Sequence, residues 1–415
     1  MNRSLGRKVS ILLSGSVAAQ ALPLLAAPLL ARLYAPDSFG EFGLYVAVTS
    51  ILAAIANLKY DHAVLLAKNA VAAFHVFVIC VMSTATIAVL MSLLILLAPD
   101  AWFGSRWFSV DRTHAVWLPV SFILASLTQA LISILFRGEQ FGAVAKVRAS
   151  QAVMTTGLTL SIGFWVPTGT ALIVSSIAGQ GFGVAMLLLL RDSSQPFFTS
   201  LSWSLLARCC TRYRRFPVFT APSDLLNALG ANLPLLFIGS IYGVATAGAY
   251  ALAQRTLGTP LMLIGSAFSD AYRQSAAKSF AEEGSYWRIT VRTFRTLGLI
   301  AIVPAVVCAM LAPWLFAIVF GDQWALTGEI VQMLTAAYFF RFLVSPLSYN
   351  FYLANRHSED LVLQCLSFAS ICALFLYVAN NQIPFRQALL IYTTFSCGIY
   401  FLYGVRSLEF ARASK

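Results

Sequence analysis

Two arginines of this sequence stand inside apolar stretches, where they could bind an anionic group. Arg255 lies in YALAQRTLGTPLML (250–263), and Arg341 lies in AAYFFRFLVSPLSYN (336–350). A charge at the centre of a bilayer costs roughly 2.5–3.5 kcal/mol on insertion scales, so such residues usually face a cavity. The planar guanidinium group donates several hydrogen bonds in a fork that suits phosphate. We therefore expect a cavity that binds a phosphate-bearing anion, with a structural ion pair or a side chain reaching the interface as the alternatives.

Other charged residues lie near the ends of apolar stretches and extend this candidate site. We expect the substrate to bind a set of five basic residues, namely Arg32, Lys59, Arg255, Arg341 and Arg273. Asp61 and Asp224 are candidates for the carboxylate that takes up a coupling ion, and Asp224 could instead pair with Arg255. For Arg32, Lys59 and Asp61, ordinary charges at the membrane interface are the alternative interpretation.

The elements that must position these residues are membrane-spanning helices. Of the 415 residues, 59% are apolar and only 11% are charged, whereas soluble domains carry about 25% charged residues. Apolar runs of about 20 residues are typical of transmembrane helices. Twelve spans are predicted, near 10–31, 42–58, 74–98, 115–136, 148–165, 170–190, 217–238, 246–268, 296–320, 328–352, 361–379 and 387–405. A secreted scaffold, a cytosolic enzyme and a nucleic-acid-binding protein are excluded.

The distribution of basic residues predicts which side of the membrane each loop faces. Cytoplasmic loops are enriched in lysine and arginine, and with a cytoplasmic N-terminus the predicted outer segments hold few of the 28 basic residues, namely Arg32, Arg106, Arg112 and Arg386. We therefore expect both termini to lie in the cytoplasm. The net charge of +12 is a topology signal in such a chain and does not indicate nucleic acid.

The predicted spans divide into two halves at the longest predicted inner connection. We expect an N-terminal bundle of six helices at 1–195, an interfacial linker at 196–216 and a C-terminal bundle of six helices at 217–415. A weak internal repeat supports a duplication, because Tyr34, Gly40, Phe42 and Leu44 match Tyr242, Gly248, Tyr250 and Leu252 at a constant offset. Parallel repeats of this kind occur in transporters, with the substrate between the halves. The expected fold is an all-α integral membrane protein, with two parallel six-helix bundles around a central cavity.

The linker carries RCCTRYRRFP (208–217), which predicts an amphipathic segment on the cytoplasmic surface of the membrane. Contact with anionic lipid headgroups would explain its arginines. A docking surface for a negatively charged substrate is the alternative.

Sequence motifs of enzymes are missing. GxxxxGK[ST], HExxH and GxSxG do not occur, and none of the seven cysteines lies in a predicted outer loop or in a CxxC pair. The longest predicted outer loop, 99–113, is too short for the catalytic loop of a membrane polymerase or ligase. We therefore expect no enzymatic activity, no cofactor and no metal.

Two stretches of the sequence carry a resemblance to a known family. ARLYAPDSFGEFGLYVAVTSILAAIANLKYDHAVLLA (31–67) and FPVFTAPSDLLNALGANLPLLFIGSIYGVATAGAYALAQRTLGTPLMLIGSAFSDAYRQSAAK (216–278) resemble Wzx-type polysaccharide flippases. These belong to the multidrug/oligosaccharidyl-lipid/polysaccharide exporter (MOP) superfamily. The length and the predicted six-plus-six arrangement agree with this resemblance.

The resemblance implies a flippase of the bacterial inner membrane. Such a protein moves undecaprenyl-diphosphate-linked oligosaccharide repeat units from the cytoplasmic to the periplasmic leaflet, for O-antigen (lipopolysaccharide), capsule or exopolysaccharide. Membrane lipids surround it, and a polysaccharide polymerase and a chain-length regulator are candidate partners. Relatives are thought to be ion-coupled, which makes Asp61 or Asp224 a candidate for a proton or sodium ion. The alternative is an ion-coupled drug antiporter of the same superfamily, although this chain has few acidic residues within its spans.

Overall fold

Helices make up nearly all of the chain that is described. The computed structural model describes residues 19–103, 110–190 and 201–413, and no strand occurs among them. A helix satisfies all of its backbone hydrogen bonds internally, which a segment surrounded by lipid must do. The predicted helical class follows from this requirement and from the length of the apolar runs.

Nine helices in the described ranges are long and apolar enough to cross a membrane, judged by length and composition. They are Pro36–Leu66, Ala70–Leu97, Arg112–Arg137, Gly169–Leu190, Phe216–Tyr242, Trp287–Phe320, Asp322–Leu353, Ser358–Asn381 and Phe385–Ala413.

Three predicted spans are not among these nine helices. The span at 10–31 lies partly outside the described residues. The spans at 148–165 and 246–268 fall largely within the helices Phe141–Gly163 and Val244–Glu283, which are long enough to cross a bilayer but contain no stretch as apolar as those in the nine helices. The second of these polar helices lines the cavity described below, which explains its composition.

The chain divides into two compact units, Met1–Gly248 and Ala249–Lys415. We label the helices in chain order. In the first unit they are α1 (Ala27–Leu33), α2 (Pro36–Ala54), α3 (Tyr60–Leu66), α4 (Ala70–Leu97), α5 (Arg112–Ala115), α6 (Leu118–Arg137), α7 (Phe141–Gly163), α8 (Gly169–Leu190), α9 (Trp203–Arg212) and α10 (Ala221–Tyr242). Helix α11 (Val244–Glu283) begins in the first unit and continues into the second. The second unit then contains α12 (Trp287–Phe320), α13 (Ala325–Val344), α14 (Tyr349–Leu353), α15 (His357–Asn381) and α16 (Phe385–Ala413).

Helix α10 follows the linker in sequence and packs against α2 within the first unit. Leu44 of α2 lies over Gly239 of α10, where a β-carbon would come within 2.6 Å of the leucine side chain. The first unit therefore extends beyond residue 195, and the two six-helix bundles at 1–195 and 217–415, with the linker at 196–216, stay a prediction.

The linker helix α9 is amphipathic, as its sequence predicts. Cys209 is buried in the apolar cluster of the first unit, whereas Trp203 and Arg208 are exposed. The chain just before α9 is fixed by a hydrogen bond in which the backbone N–H of Ser202 donates to Nε2 of His75 at 3.1 Å. Residues 196–200 of the predicted linker lie outside the described residues.

Candidate functional site

A cavity of about 520 Å³ lies within the second unit. One wall is a face of α11 that runs from Gln254 to Arg273, and α13 contributes the opposite wall with Tyr338 and Arg341. From Gln254 to Arg273 the helix rises by about 1.5 Å per residue, which gives roughly 28 Å, so this face follows most of the thickness of a bilayer core. The volume falls in the range of about 300–1,000 Å³ that ligand pockets occupy.

The wall formed by α11 is polar, and several of its residues are small. Thr259, Ser266 and Ser269 present hydroxyl groups along it, and two glycines leave the space between them open. At Gly258 a β-carbon would stand 3.5 Å from a ring carbon of Tyr338, and at Gly265 it would stand 3.9 Å from the ring of Phe342. Small and hydroxylated residues on one helical face therefore account for the open volume beside α13.

Arg341 is exposed to this cavity and is surrounded by tyrosines. The phenol groups of four tyrosines interact electrostatically with its guanidinium group, namely Tyr250, Tyr338, Tyr392 and Tyr400. Tyr250 is almost completely buried and shares a hydrogen bond with Tyr392. Nε2 of Gln254 donates to the hydroxyl group of Tyr250 at 3.3 Å. A cation and several hydroxyl groups are thus held at one end of the cavity by their own contacts.

Arg273 and Asp270 lie towards the other end of the α11 wall, and both are exposed. Within the part of the chain that the structure describes, neither Arg341 nor Arg273 has a carboxylate at ion-pair distance. Their charges are therefore available to an anionic ligand.

Of the five basic residues predicted to bind the substrate, Arg341 and Arg273 line this cavity together. Arg255 is half-buried on α11 and is not one of the lining residues. Arg32 is exposed in the last turn of α1, in the first unit. Lys59 also lies in the first unit, where it forms an ion pair.

Lys59 lies in a turn that interrupts the helical path between α2 and α3. Three consecutive residues, Asn57, Leu58 and Lys59, have positive φ angles of 56°, 49° and 61°. The buried side chain of Asn57 holds this turn, because its Nδ2 donates to the carbonyl oxygen of Ser126 at 2.9 Å and its Oδ1 accepts from Oγ1 of Thr84 at 3.0 Å. The turn is therefore fixed by contacts to α4 and α6.

The two acidic residues predicted to bind a coupling ion have different surroundings. Nζ of Lys59 is 2.9 Å from Oδ2 of Asp224, and the Asp224 side chain is 37% exposed. Asp61 is buried, and its Oδ1 has no hydrogen-bond partner among the described residues. The structure thus gives Asp224 an ion-pair partner in Lys59 and leaves one oxygen of Asp61 unsatisfied.

Reasoning from the sequence did not single out Tyr338, Gln254 or Asn57. Tyr338 precedes Arg341 by three residues, and residues at this spacing share a helix face, so the pair was visible in the sequence. Gln254 adjoins Arg255, which drew attention by its charge. Asn57 carries no such signal, because its partners on α4 and α6 are distant in sequence.

Comparison with known proteins gives the family. A profile described as polysaccharide biosynthesis protein matches residues 29–328. The teichuronic acid biosynthesis protein TuaB of Bacillus subtilis (strain 168) is 22% identical over 230 residues, which cover 55% of this chain and 47% of TuaB. The chain thus spans about half the length of this curated relative in the alignment.

Solved structures give the fold. The inward-facing form of a MATE-family multidrug resistance transporter of the MOP superfamily superimposes with a TM-score of 0.73 at 14% identity, covering 97% of this chain and 98% of that one. The outward-facing form of a MATE-family transporter gives 0.55 at 14% identity over 98% and 96%. A MOP-superfamily transporter from Pyrococcus furiosus, described as having a binding pocket of reverse polarity, gives 0.53 at 16% identity over 98% and 95%.

These matches confirm the predicted fold class. The chain is an all-helical, multi-pass membrane protein, and the transporters that it matches have a twelve-helix fold of two bundles. The family profile covers more than half of the chain, including the cavity wall on α11. The chain therefore belongs to the polysaccharide biosynthesis protein family, and its fold resembles that of transporters of the MOP superfamily.

Proposed function

We propose that the protein is a flippase for undecaprenyl-diphosphate-linked oligosaccharides. It moves repeat units from the cytoplasmic to the periplasmic leaflet by alternating access, for the synthesis of a surface polysaccharide. The observation that carries this proposal is the cavity of the second unit, where Arg341 and Arg273 lack carboxylate partners among the described residues. A diphosphate supplies the missing negative charge, and guanidinium groups bind phosphate oxygens with paired hydrogen bonds.

The proposal divides the substrate between two environments. The isoprenoid tail stays in the lipid and keeps apolar surroundings throughout, while the diphosphate and sugars cross the membrane in the polar cavity. A cavity with unpaired arginines disfavours a cationic drug, because like charges repel in a medium of low dielectric constant. The likeness to multidrug transporters, at 14% identity, supports the fold and leaves the antiporter as the second candidate.

Gene deletion tests the proposed function directly. The undecaprenyl-linked lipids of the deletion strain would be extracted, and the side of the membrane that they face would be determined in spheroplasts. We expect single repeat units to accumulate facing the cytoplasm while surface polysaccharide falls, and the accumulated glycan then identifies O-antigen, capsule or exopolysaccharide. Repeat units that are flipped outward without polymerisation would point to a polymerase or ligase. An unchanged polysaccharide with altered drug resistance would favour the antiporter.

Arg341→Ala tests the cavity within this function. Loss of a charge-assisted hydrogen bond, worth about 1.5–3 kcal/mol, predicts a decrease of roughly 10- to 100-fold in affinity for the diphosphate. Complementation of the deletion strain should fail although the protein reaches the membrane in normal amounts. Lys278→Ala is the control, because Lys278 is an exposed cation on α11, in the same unit, and does not line the cavity. Normal complementation by Arg341→Ala would remove Arg341 from the proposed site.

For ion coupling, we propose that Asp61 is the stronger of the two candidates. Its unsatisfied buried oxygen can bind a proton or cation, whereas the negative charge of Asp224 is balanced by Lys59. Transport into proteoliposomes would be measured with an imposed pH or sodium gradient. We expect Asp61→Asn to abolish the response to the gradient and Asp224→Asn to retain it. A gradient response that survives in Asp61→Asn would exclude this role.

The proposed function also sets the location and partners of the protein. It would lie in the bacterial inner membrane with both termini in the cytoplasm, which agrees with the bias of basic residues. A polysaccharide polymerase and a chain-length regulator would use its product in the periplasm. Cysteine labelling from each side of the membrane tests the orientation at Arg412, which is described and exposed near the C-terminus.

A further inference from the structure

We propose that the end of the cavity lined by Tyr338, Gln254 and Arg341 is a saccharide subsite, which holds the sugar next to the diphosphate. This inference rests on the proposed function and names the part of the cavity that recognises the glycan. It depends on Tyr338, Gln254 and Gly258, which line the cavity together with Arg341.

The polarity of this end of the cavity calls for an explanation. Tyrosine, glutamine and arginine side chains bring several hydrogen-bonding groups together inside a bundle of membrane helices, where unsatisfied polar groups cost free energy. Part of this demand is met internally, because Tyr250 shares hydrogen bonds with Gln254 and Tyr392. Tyr338 makes no hydrogen bond through its hydroxyl group to any residue that the structure describes, so this group is available to a ligand in the cavity.

The chemistry of this end matches a sugar ring. A pyranose has an apolar face of C–H groups and a rim of hydroxyl groups, and tyrosine combines an apolar ring with a hydroxyl group that donates and accepts. Arginine and glutamine add donors, and the amide oxygen of Gln254 adds an acceptor. A cationic drug would find no carboxylate among Tyr338, Gln254 and Arg341, because Asp270 lies towards the other end of the cavity. An acyl chain would leave the polar groups unsatisfied. A saccharide satisfies both the apolar faces and the hydrogen-bonding groups.

The geometry provides a way to fill this subsite without removing any contact. A β-carbon at Gly258 would stand 3.5 Å from Cε1 and 3.7 Å from the hydroxyl oxygen of Tyr338, which is ordinary contact, so Gly258→Ala should be tolerated. The longer side chain of Gly258→Leu must extend into the space beside the tyrosine. The two variants differ only in how much of the cavity they occupy, which makes them a matched pair.

The experiment compares two lipids that share the tail and the diphosphate. Binding of undecaprenyl diphosphate and of the lipid-linked repeat unit extracted from the deletion strain would be measured with purified protein in nanodiscs. Loss of one aromatic contact predicts a decrease of about tenfold in affinity. Tyr338→Leu and Gly258→Leu should therefore weaken binding of the repeat unit by about that factor and leave binding of undecaprenyl diphosphate unchanged. Gly258→Ala should weaken binding of the repeat unit less than Gly258→Leu does, and Arg341→Ala should weaken binding of both lipids. Lys278→Ala, outside the cavity, should bind both lipids like the wild type.

The outcomes separate this inference from the function on which it rests. If the wild type binds the repeat unit and both leucine variants bind it equally well, the saccharide subsite is refuted while the flippase stands. Equal affinity of the wild type for the two lipids also refutes the subsite, because the sugars then contribute nothing. Wild-type protein that binds neither lipid refutes the flippase, and the subsite with it.

Discussion

Two glycines at equivalent positions of the internal repeat lie where two helix backbones of the first unit cross closely, and this contact gives a sharp prediction. Gly40 lies on α2, and Gly248 lies near the start of α11. A β-carbon on Gly40 would stand 1.9 Å from the carbonyl oxygen of Val244, and one on Gly248 would stand 1.9 Å from the carbonyl oxygen of Pro36. Both obstacles are backbone atoms, so no rotation of a side chain can relieve them.

The magnitude of the effect follows from these distances. Ordinary contact begins at 3.4 Å, so an alanine at either glycine must separate the two backbones by about 1.5 Å, and forced shifts of this kind cost about 1–3 kcal/mol. Alanine gains about 0.8–1.0 kcal/mol over glycine as a helix former. Because the obstacle is rigid, we expect the steric cost to exceed this gain, and both Gly40→Ala and Gly248→Ala should lower the free energy of unfolding.

Gly181→Ala is the matched control. Gly181 lies within α8, and a β-carbon there would meet nothing within 4 Å. This variant should keep the gain in helix propensity, about 0.5–1 kcal/mol, without any steric cost. Thermal unfolding of purified protein in detergent should therefore give a lower Tm for the two crossing variants and an equal or higher Tm for Gly181→Ala.

The double variant Gly40→Ala/Gly248→Ala adds a second test. One separation of the helices relieves both contacts, so the combined loss of stability should be smaller than the sum of the two single losses. If either single variant is as stable as Gly181→Ala, the close crossing does not exist in the folded protein, and the argument from these distances fails.

Two further predictions concern the turn at residues 57–59. Asn57→Ala removes two buried hydrogen bonds and leaves their partners unsatisfied, so the free energy of unfolding should fall by about 2–4 kcal/mol. Asn57→Asp keeps an acceptor for Thr84 but places a carboxylate oxygen against the carbonyl oxygen of Ser126, so it should lose at least as much stability. Wild-type stability of the alanine variant in a denaturant titration would contradict this role. The second prediction concerns the ion pair between Lys59 and Asp224. A double-mutant cycle with Lys59→Met and Asp224→Asn should give a coupling energy of no more than about 1 kcal/mol, because solvent screens the partly exposed carboxylate. A larger coupling energy would mean that the pair is more buried in the membrane than in the structure.

The sequence predicted the class of the protein because the membrane imposes a single strong constraint. Apolar runs of sufficient length must be helices, and this alone located the nine apolar spans. The predicted spans at 148–165 and 246–268 were found with the same windows although their helices contain no stretch as apolar as those in the nine helices. Polar residues on a cavity wall do not prevent a helix from spanning, but they hide it from any test that counts only apolar residues.

The turn at Asn57 could not have been predicted from local sequence. Positive φ angles usually indicate glycine, and this turn has Asn57, Leu58 and Lys59 at three such positions. The conformation is sustained by hydrogen bonds from Asn57 to α4 and α6, and these partners are known only once the helices have packed. Local sequence does not predict this turn, because ANLK contains no glycine and no other residue that indicates three positive φ angles in a row.

The sequence predicts that five basic residues bind the substrate, and the structure distinguishes Lys59 from Arg341 by how each charge is compensated. A cation in a membrane protein must either meet a carboxylate or reach a polar cavity, because the cost of burying it alone is several kcal/mol. Lys59 meets a carboxylate, that of Asp224, which lies 165 positions later in the sequence. Arg341 reaches a polar cavity, where tyrosines and open volume surround it. A pairing between distant segments cannot be read from hydropathy, so the sequence alone does not separate paired cations from cations without a carboxylate partner. The residues that line a cavity without a carboxylate partner are the smaller set on which recognition of an anion can depend.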